Sequence, residues 1–386
     1  MKMNSAVFAT VKAVVSIAAV VALGILSACS STSDKAKLAE LPAIDSQIGA
    51  KLVWSARVGT VNTPLEIAVD QALNSSAVTA ASSDGVIVSF DATTGRVLWR
   101  AQAGKSLSSG AGIDADLAVV VTEGNELVAF NKGAVAWRQK LAGASFTAPL
   151  LKNGKVYVLG SDRSMSAFDG ANGTKLWSQK RSNEALSLRQ AGVLLAVGDG
   201  LVASSSGKLT GLNPLDGSVR WERSIATARG TNEIERLVDL VGRVSVNDDV
   251  VCARAYRVSV GCIDALRGNL LWTKPAVGLE GVQGDARSLF GTESDGKVIA
   301  WNRNNGEKLW VNERLLGRSL TAPVVFDKYI AVGDSTGLVH LLSKTDGAPL
   351  TRLLTDGSAI VASPVLVGKT LVVMTKNGSL FAFSAE

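Results

Sequence analysis

Cysteine and histidine, which provide many nucleophiles and most zinc ligands, are rare in this chain. The 386 residues include three cysteines, Cys29, Cys252 and Cys262, and a single histidine, His340. One histidine argues against a histidine-based zinc site and against a Ser-His-Asp triad. We therefore predict no catalytic residue, no metal ligand and no cofactor, and we assign no role to His340.

Two of the cysteines lie close together in the body of the chain. Cys252 (in VVCA) and Cys262 (in GCI) belong to apolar segments that we expect to pair as one hairpin turning near Tyr256 and Arg257. On such strands the two side chains face each other. Two alternatives remain open: a cross-strand disulfide, which an oxidising compartment such as the periplasm permits, and two free buried thiols. The pattern favours the disulfide.

The third cysteine ends an N-terminal segment with the features of an export signal. Lys2 and Lys12 flank the start of an uncharged apolar run, Ala13–Ile25. The run is shorter than the roughly 20 residues that span a bilayer, and it is typical of a signal peptide. It is followed by LSAC, which resembles the lipobox of bacterial lipoproteins. We predict a signal peptide over residues 1–28 and lipidation of Cys29; the alternative is an ordinary signal peptide or buried helix with an incidental cysteine.

The residues after Cys29 indicate where the protein would be anchored. Acylation of the thiol and of the new N-terminus gives more than one chain, which is the condition for stable anchoring. Ser30 follows in place of the aspartate associated with inner-membrane retention. The resemblance therefore implies the periplasmic face of the outer membrane. Residues 29–50 show no strand period, and we predict a lipidated flexible tether there.

Composition favours a β-rich exported domain and excludes a nucleic-acid site. Hydrophobic residues make up 47% of the chain, and 38 glycines against 8 prolines indicate many tight turns. The net charge of +6 falls to +4 once Lys2 and Lys12 are removed with the signal peptide. The charges are scattered, without the basic run that marks nucleic-acid binding.

The body of the chain repeats one unit. The segment SDGVIVSFDATTGRVLW contains a tight turn, a strand of period two, a loop ending in glycine and an outer strand closing on tryptophan. A further apolar strand precedes each copy, so one copy makes a four-stranded antiparallel sheet, which is a propeller blade. The copies are Ser83–Trp99, Glu123–Trp137, Ser161–Trp177, Ser206–Trp221, Arg257–Trp272 and Ser294–Trp310.

Two series of equivalent positions set the number of blades at eight. The series through Phe90 is Phe90, Phe130, Phe168, Leu212, Ile263, Trp301, Leu342 and Phe383. The closing tryptophans, which we expect to wedge between blades, are Trp54, Trp99, Trp137, Trp177, Trp221, Trp272 and Trp310. The eighth position, near Thr351, has lost its tryptophan. Because the last copy stops before its outer strand, we predict that the Trp54 strand completes it. The predicted fold is an all-β, eight-bladed propeller over residues 51–386.

The repeat resembles the propeller repeat of pyrroloquinoline-quinone dehydrogenases. Proteins with this repeat include enzymes and non-enzymes, so the repeat alone does not indicate an activity. A lipobox followed by eight such blades resembles the BamB family of outer-membrane assembly lipoproteins. That resemblance implies a non-catalytic scaffold within the BAM complex. It also implies binding to the periplasmic POTRA domains of BamA and assistance in the insertion of unfolded β-barrel precursors.

Two segments interrupt the repeat, and the resemblance places the partner site there. ALSLR resembles the family's BamA-binding loop, and TNEIERLVD resembles a second contact stretch. The implied partner-binding residues are Leu186, Leu188, Arg189, Glu233, Arg236 and Asp239. Val241 stands where the family often has a second acidic residue. A buried strand and solvated surface charges are the alternatives, but insertions on propellers often map to a binding face.

Two other functions stay open at this point. Quinone-dependent dehydrogenases usually carry adjacent cysteines and acidic calcium ligands, and this sequence has neither pattern. A propeller lipoprotein that binds envelope polysaccharide or another partner is the second alternative.

Overall fold

The computed structural model describes residues 38–62, 65–70, 76–180, 187–227 and 238–385. Within these ranges the chain forms eight antiparallel sheets of four strands each. The innermost strands of neighbouring sheets lie beside each other around one axis. The predicted eight-bladed propeller is therefore confirmed. No helix in the described ranges is long and apolar enough to cross a bilayer.

The strands are numbered along the chain, and blade 8 combines its last three strands with the first. Blades 1 to 4 are β2 (Ala68–Val69), β3 (Ala77–Ala81), β4 (Val86–Asp91), β5 (Val97–Gln102); β6 (Gly112–Asp114), β7 (Leu117–Val121), β8 (Glu126–Asn131), β9 (Ala134–Lys140); β10 (Leu150–Lys152), β11 (Lys155–Leu159), β12 (Met165–Asp169), β13 (Lys175–Gln179); and β14 (Leu194–Val197), β15 (Gly200–Ser205), β16 (Lys208–Leu212), β17 (Val219–Ser224). Blades 5 to 8 are β18 (Leu240–Asn247), β19 (Val250–Ala255), β20 (Ser259–Asp264), β21 (Asn269–Pro275); β22 (Val282–Gly284), β23 (Ser288–Thr292), β24 (Val298–Asn302), β25 (Lys308–Asn312); β26 (Val324–Phe326), β27 (Tyr329–Gly333), β28 (Leu338–Ser343), β29 (Pro349–Leu354); and β30 (Val365–Val367), β31 (Thr370–Met374), β32 (Ser379–Ala385), β1 (Ala50–Arg57).

The two central strands of each blade are buried because the neighbouring blades cover both of their faces. In blade 2, Val120 of β7 and Phe130 of β8 have no solvent exposure. Such strands appear in the sequence as short continuous apolar runs. The outer strand β9 is mostly exposed, and only Trp137 is buried along it. The core therefore lies between the blades.

Blade 8 is completed by the N-terminal strand of the propeller. β1 pairs antiparallel with β32, and Leu52 lies opposite Phe383 while Trp54 lies opposite Ala382. This pairing confirms the predicted closure. It protects the edge of β32, which would otherwise be open to pairing with another chain.

Each repeated tryptophan joins its own blade to the next one. The indole N–H of Trp137 in blade 2 donates to the carbonyl of Gly170 in blade 3 at 2.8 Å. Its ring packs on Gly173, where φ is 75° and an added Cβ would lie 2.6 Å from the ring, so the turn requires glycine. Four further indoles donate to the next blade at 2.7 to 3.1 Å: Trp54, Trp177, Trp272 and Trp310. The predicted wedges are confirmed.

Thr351 occupies the one repeat position that has lost its tryptophan. In the other blades that tryptophan packs under the turn between the third and outer strands of the next blade. In blade 8 those two strands, β32 and β1, are far apart in sequence and no turn joins them. Instead, the Thr351 hydroxyl lies 2.9 Å from the hydroxyl of Ser46.

Residues 38–49, hereafter the strap, lie against blade 7. The N–H of Ala39 donates to the carbonyl of Leu316 at 2.9 Å, and the N–H of Gln47 donates to the carbonyl of Leu350 at 3.1 Å. This part of the segment differs from the flexible tether predicted over residues 29–50. Its backbone finds partners on a distant blade, and no local pattern in the sequence signals that.

Candidate functional site

The predicted partner site lies at one end of the strands. Arg189 is in the connection between β13 and β14, Asp239 immediately precedes β18, and Arg163 is in the turn between β11 and β12. In an antiparallel four-stranded blade, the turn joining the second and third strands lies at the same end as the connection to the next blade. The three side chains therefore share one face of the propeller, hereafter the Arg189 face.

Asp239 holds the connection that carries Arg189. One carboxylate oxygen accepts a 2.7 Å hydrogen bond from the N–H of Leu188. The other lies 3.0 Å from the guanidinium of Arg163. The Asp239 side chain is 16% exposed and that of Arg163 is 6% exposed, so solvent screens this pair only weakly. Asp239 thus acts on the loop backbone and not only as a surface charge.

Arg163 was not predicted as a site residue, although the sequence contains a signal for it. In the first copy of the repeat the turn is Ser83-Asp84-Gly85, whereas the third copy has arginine where Gly85 stands. Gly85 has φ of 94°, and Arg163 adopts φ of 63° at the matching position. Asn125 and Arg257 adopt the same left-handed conformation in the matching turns of blades 2 and 5, so the turn itself requires it. What distinguishes Arg163 is its ion pair with the carboxylate of Asp239.

Arg189 presents its guanidinium to solvent from a defined position. The side chain is 67% exposed, and it lies 2.9 Å from a carboxylate oxygen of Glu123 in blade 2. Its guanidinium carbon lies 5.4 Å from the ring centroid of Phe146, within cation–π range. These two contacts orient the planar group while leaving it accessible. Glu123 and Phe146 are further residues that sequence reasoning missed.

The structure brings together only part of the predicted site. Leu188, Arg189 and Asp239 lie next to each other on the Arg189 face, and Leu188 is partly buried. Three predicted contact residues and the predicted lipidation site lie outside the described residues: Leu186, Glu233, Arg236 and Cys29.

Val241 stands where the family pattern often has a second acidic residue. Its side chain is 1% exposed and lies in β18 opposite Arg254. A carboxylate at this position would be buried, at a considerable desolvation cost. Of these two positions, only Asp239 carries a carboxylate.

A cavity of about 380 Å³ opens on the propeller axis beside Arg189. Its wall includes Gln190, Tyr256, Glu66 and Glu280. Burial raises the pKa of Glu280 to about 7, and the nearby Glu66 carboxylate adds to the rise. Glu280 is therefore a carboxyl group that gains or loses its proton near neutral pH.

Arg243 reaches from blade 5 to the non-adjacent blade 8. It sits at a bulge in β18 with φ of 59°, and its guanidinium donates at 3.2 Å to the carbonyl of Pro364 in blade 8. Its Nε lies 4.0 Å from the carboxylate of Glu66. Arg243 therefore links blade 5 to blade 8 and to the segment before blade 1.

Cys252 and Cys262 lie opposite each other inside blade 5. They are register partners on β19 and β20, with Cα atoms 4.0 Å apart, and the structure joins their sulfurs in a disulfide. Both residues are fully buried. Oxidation of this pair in the exported protein stays a prediction.

Comparison with known proteins identifies the family. A family model described as outer membrane protein assembly factor BamB matches residues 83–312, which is more than half of the chain. The chain belongs to the BamB family. The outer membrane protein assembly factor BamB of Bordetella pertussis is 34% identical over 377 residues, covering 95% of this chain and 97% of that protein. The crystal structure of BamB from Moraxella catarrhalis has a TM-score of 0.78 at 28% identity, covering 87% of this chain and 99% of that chain.

The propeller frame is also shared with enzymes. The quinohemoprotein alcohol dehydrogenase of Comamonas testosteroni has a TM-score of 0.66 at 11% identity, covering 87% of this chain and 76% of that chain. At this identity the likeness concerns the fold alone. Activity must therefore be argued from the site and not from the frame.

Proposed function

We propose that this chain is a non-catalytic scaffold lipoprotein of the outer-membrane β-barrel assembly machinery. Membership of the BamB family supports a role in outer membrane protein assembly. In this proposal the Arg189 face binds the POTRA domains of BamA. The complex then assists the delivery and insertion of unfolded β-barrel precursors, which the propeller contacts transiently.

The observation that carries the proposal is the way Arg189 is presented. Its guanidinium is exposed, yet Glu123 and Phe146 orient it and Asp239 holds the backbone one residue away. Arginine forms forked contacts with carboxylates and backbone carbonyls. A loop ordered in advance loses less conformational freedom on binding, which favours affinity. Leu188 supplies apolar surface next to this charge.

The proposal includes attachment to the periplasmic face of the outer membrane through lipid on Cys29. Its support is the N-terminal sequence, in which an apolar run is followed by LSAC and then by Ser30. More than one acyl chain gives stable anchoring, and a tether raises the local concentration of the scaffold near its partner.

The proposal also holds that the propeller has no dehydrogenase activity. In this chain the two body cysteines lie on opposite strands of one hairpin inside blade 5 and are not neighbours in sequence. We expect that adding pyrroloquinoline quinone and calcium to the purified protein produces neither a change in quinone absorbance nor reduction of an electron-accepting dye with alcohols. Dye reduction above that of the quinone alone would contradict this part of the proposal.

Charge reversal at Arg189 tests the partner site. Arg189→Glu should lower the recovery of BamA on the tagged full-length protein from solubilised outer membranes, while circular dichroism and thermal unfolding stay unchanged. Arg267→Glu is the matched control. Arg267 is also exposed, at 78%, and it also forms a 2.9 Å ion pair, with Asp264, but in a turn at the other face. Equal recovery of BamA by both variants would show that the Arg189 face is not the binding site.

A further inference from the structure

The strap forms a docked element that spans blade 7. Leu41 packs against the apolar core between blades 6 and 7, and Ile48 is buried in the core between blades 7 and 8. Between them, the carbonyl of Pro42 accepts a 2.9 Å hydrogen bond from the guanidinium of Arg352 on β29. Together with the Ser46 and Gln47 contacts, these interactions place the strap along the outer strand of the blade.

A buried polar network anchors Ala39, at the start of the strap. The guanidinium of Arg318 donates to the carbonyl of Ala39 and to the carboxylate of Asp334, each at 2.9 Å. The His340 ring lies 3.0 Å from the same carboxylate. Arg318, Asp334 and His340 are 8%, 0% and 2% exposed. The network thus gives the single histidine of the chain a structural role.

The charge on Asp334 explains why this network can hold a backbone carbonyl. Burial acts to raise the pKa of Asp334, but hydrogen bonds from His340 and Thr336 hold that pKa well below its usual range. The carboxylate is therefore ionised and pairs with Arg318. This pairing through Nη1 fixes the guanidinium so that Nη2 donates to the carbonyl of Ala39.

The strap begins at the Arg189 face and ends at the opposite face. Leu316 and Arg318, which bind Ala39, lie in the connection from β25 to β26, and such connections all lie at the Arg189 face. The strap then follows β29 down to Leu350, at the other end of that strand. From there β1 runs back up through blade 8.

We propose that the strap delivers the lipid anchor to the rim of the Arg189 face at blades 6 and 7, so that the partner-binding face is the face nearest the membrane. The inference rests on the lipidation of Cys29 proposed above. Cys29 and Ala39 are ten positions apart in the sequence, and an extended chain of that length reaches about 35 Å. A flexible tether to residue 50 would leave either face free to approach the bilayer, whereas the docked strap favours one.

A designed cross-link tests whether the strap is docked in the full-length protein. In the double variant Ser46→Cys and Thr351→Cys, the two thiols replace hydroxyls that lie 2.9 Å apart. We expect a disulfide to form in air in most molecules without loss of thermal stability, detected as linked peptides by mass spectrometry. The control variant carries Ser46→Cys and Thr93→Cys, since exposed Thr93 lies in blade 1, on the other side of β1. Equal cross-linking in both variants would refute docking.

Energy transfer to labelled lipids tests which face lies nearest the membrane. Ser294→Cys and Asn304→Cys each place one dye on blade 6, because both residues are exposed and lie in turns at opposite ends of β24. The full-length protein is reconstituted into phosphatidylethanolamine–phosphatidylglycerol vesicles. Energy transfer from position 294 should then be about twofold higher than from position 304, because the length of chain between Cys29 and Ala39 limits the distance of the Arg189 face from the bilayer. Equal transfer, or greater transfer from position 304, would overturn the orientation.

The same samples separate failure of the orientation from failure of the anchor. Mass spectrometry of the N-terminal peptide shows whether Cys29 carries lipid. A lipidated protein with equal transfer from both dyes refutes the orientation alone. An unmodified Cys29 refutes the anchor and the orientation together, and the Ser46–Thr351 cross-link then reports on strap docking by itself.

Discussion

The backbone N–H of Leu188 and the carboxylate of Asp239 are joined by a 2.7 Å hydrogen bond, although the two residues are far apart in the chain. The same carboxylate pairs with Arg163 in a third segment. Asp239 therefore ties together the two segments that interrupt the repeat. It affects partner binding through the position of the loop as well as through its own charge.

Removal of this carboxylate should loosen the loop without unfolding the propeller. Asp239→Ala should increase hydrogen exchange in residues 187–192 and lower BamA recovery, although Arg189 is intact. Asp239→Asn should be intermediate, because its amide oxygen can still accept from Leu188 while the ion pair with Arg163 is lost. The control Asp199→Ala removes an exposed partner of Arg220 at the other face. Unchanged exchange in Asp239→Ala would contradict the positioning role.

The contact between Trp137 and Gly173 should be visible in stability. Gly173→Ala places a Cβ 2.6 Å from the indole, whereas Gly154→Ala in the same blade meets nothing within 4 Å. Both glycines have positive φ, 75° and 69°, so both variants should lose about 1 kcal/mol for the backbone alone. Overpacking should cost Gly173→Ala at least about 1 kcal/mol more. Urea unfolding measures the difference. Equal losses in the free energy of unfolding would show that the Trp137 ring moves aside without a cost in stability.

Glu280 should make stability depend on pH. Its pKa in the folded protein is raised from 4.5 to about 7, so between these values the folded state binds the proton more tightly than the unfolded state. The free energy of unfolding therefore falls as pH rises from about 4.5 to about 7, where the ionised group is left in the cavity wall. Glu280→Gln should remove this dependence and stabilise the protein at pH 8 by roughly 2 kcal/mol.

Unfolding midpoints at pH 5 and pH 8 test the role of Glu280. The gain of the glutamine variant over the wild type should be larger at pH 8. Glu307→Gln, which removes an exposed carboxylate at the other face, is the control for a simple change of net charge. A gain of equal size at both pH values would show that the proton on Glu280 is not responsible.

The Cys252–Cys262 pair should be oxidised in protein exported to the periplasm. Alkylation of the unfolded, unreduced protein should modify neither residue, and reduction should lower the free energy of unfolding by about 2 to 3 kcal/mol. The double variant Cys252→Ala and Cys262→Ala should not respond to the reductant. Two alkylated thiols in the unreduced protein would refute the bond.

Periodic features of the sequence were sufficient to predict the frame. The tryptophans, the Phe90 series and the Gly-containing turns recur in the same order from copy to copy, so the order of strands within a blade can be identified from each copy. The offset between Trp54 and Phe383 predicted the closure, because one blade lacked an outer strand and one strand lacked a blade. The facing positions of Cys252 and Cys262 followed from the alternation of side chains along two neighbouring strands.

Tertiary structure alone decided what surrounds the site and where the N-terminal segment lies. The bond between Leu188 and Asp239, the support of Arg189 by Phe146 and the anchoring of Ala39 by Arg318 each join residues that no local period relates. Burial of Glu280 likewise depends on loops from several blades meeting at the axis. The repeat determines which strands pair, because the strands of one copy are neighbours in sequence and each shows the alternation of side chains that a paired strand requires. The contacts of the loops depend on which blades the closed ring places side by side, and only the folded chain determines that.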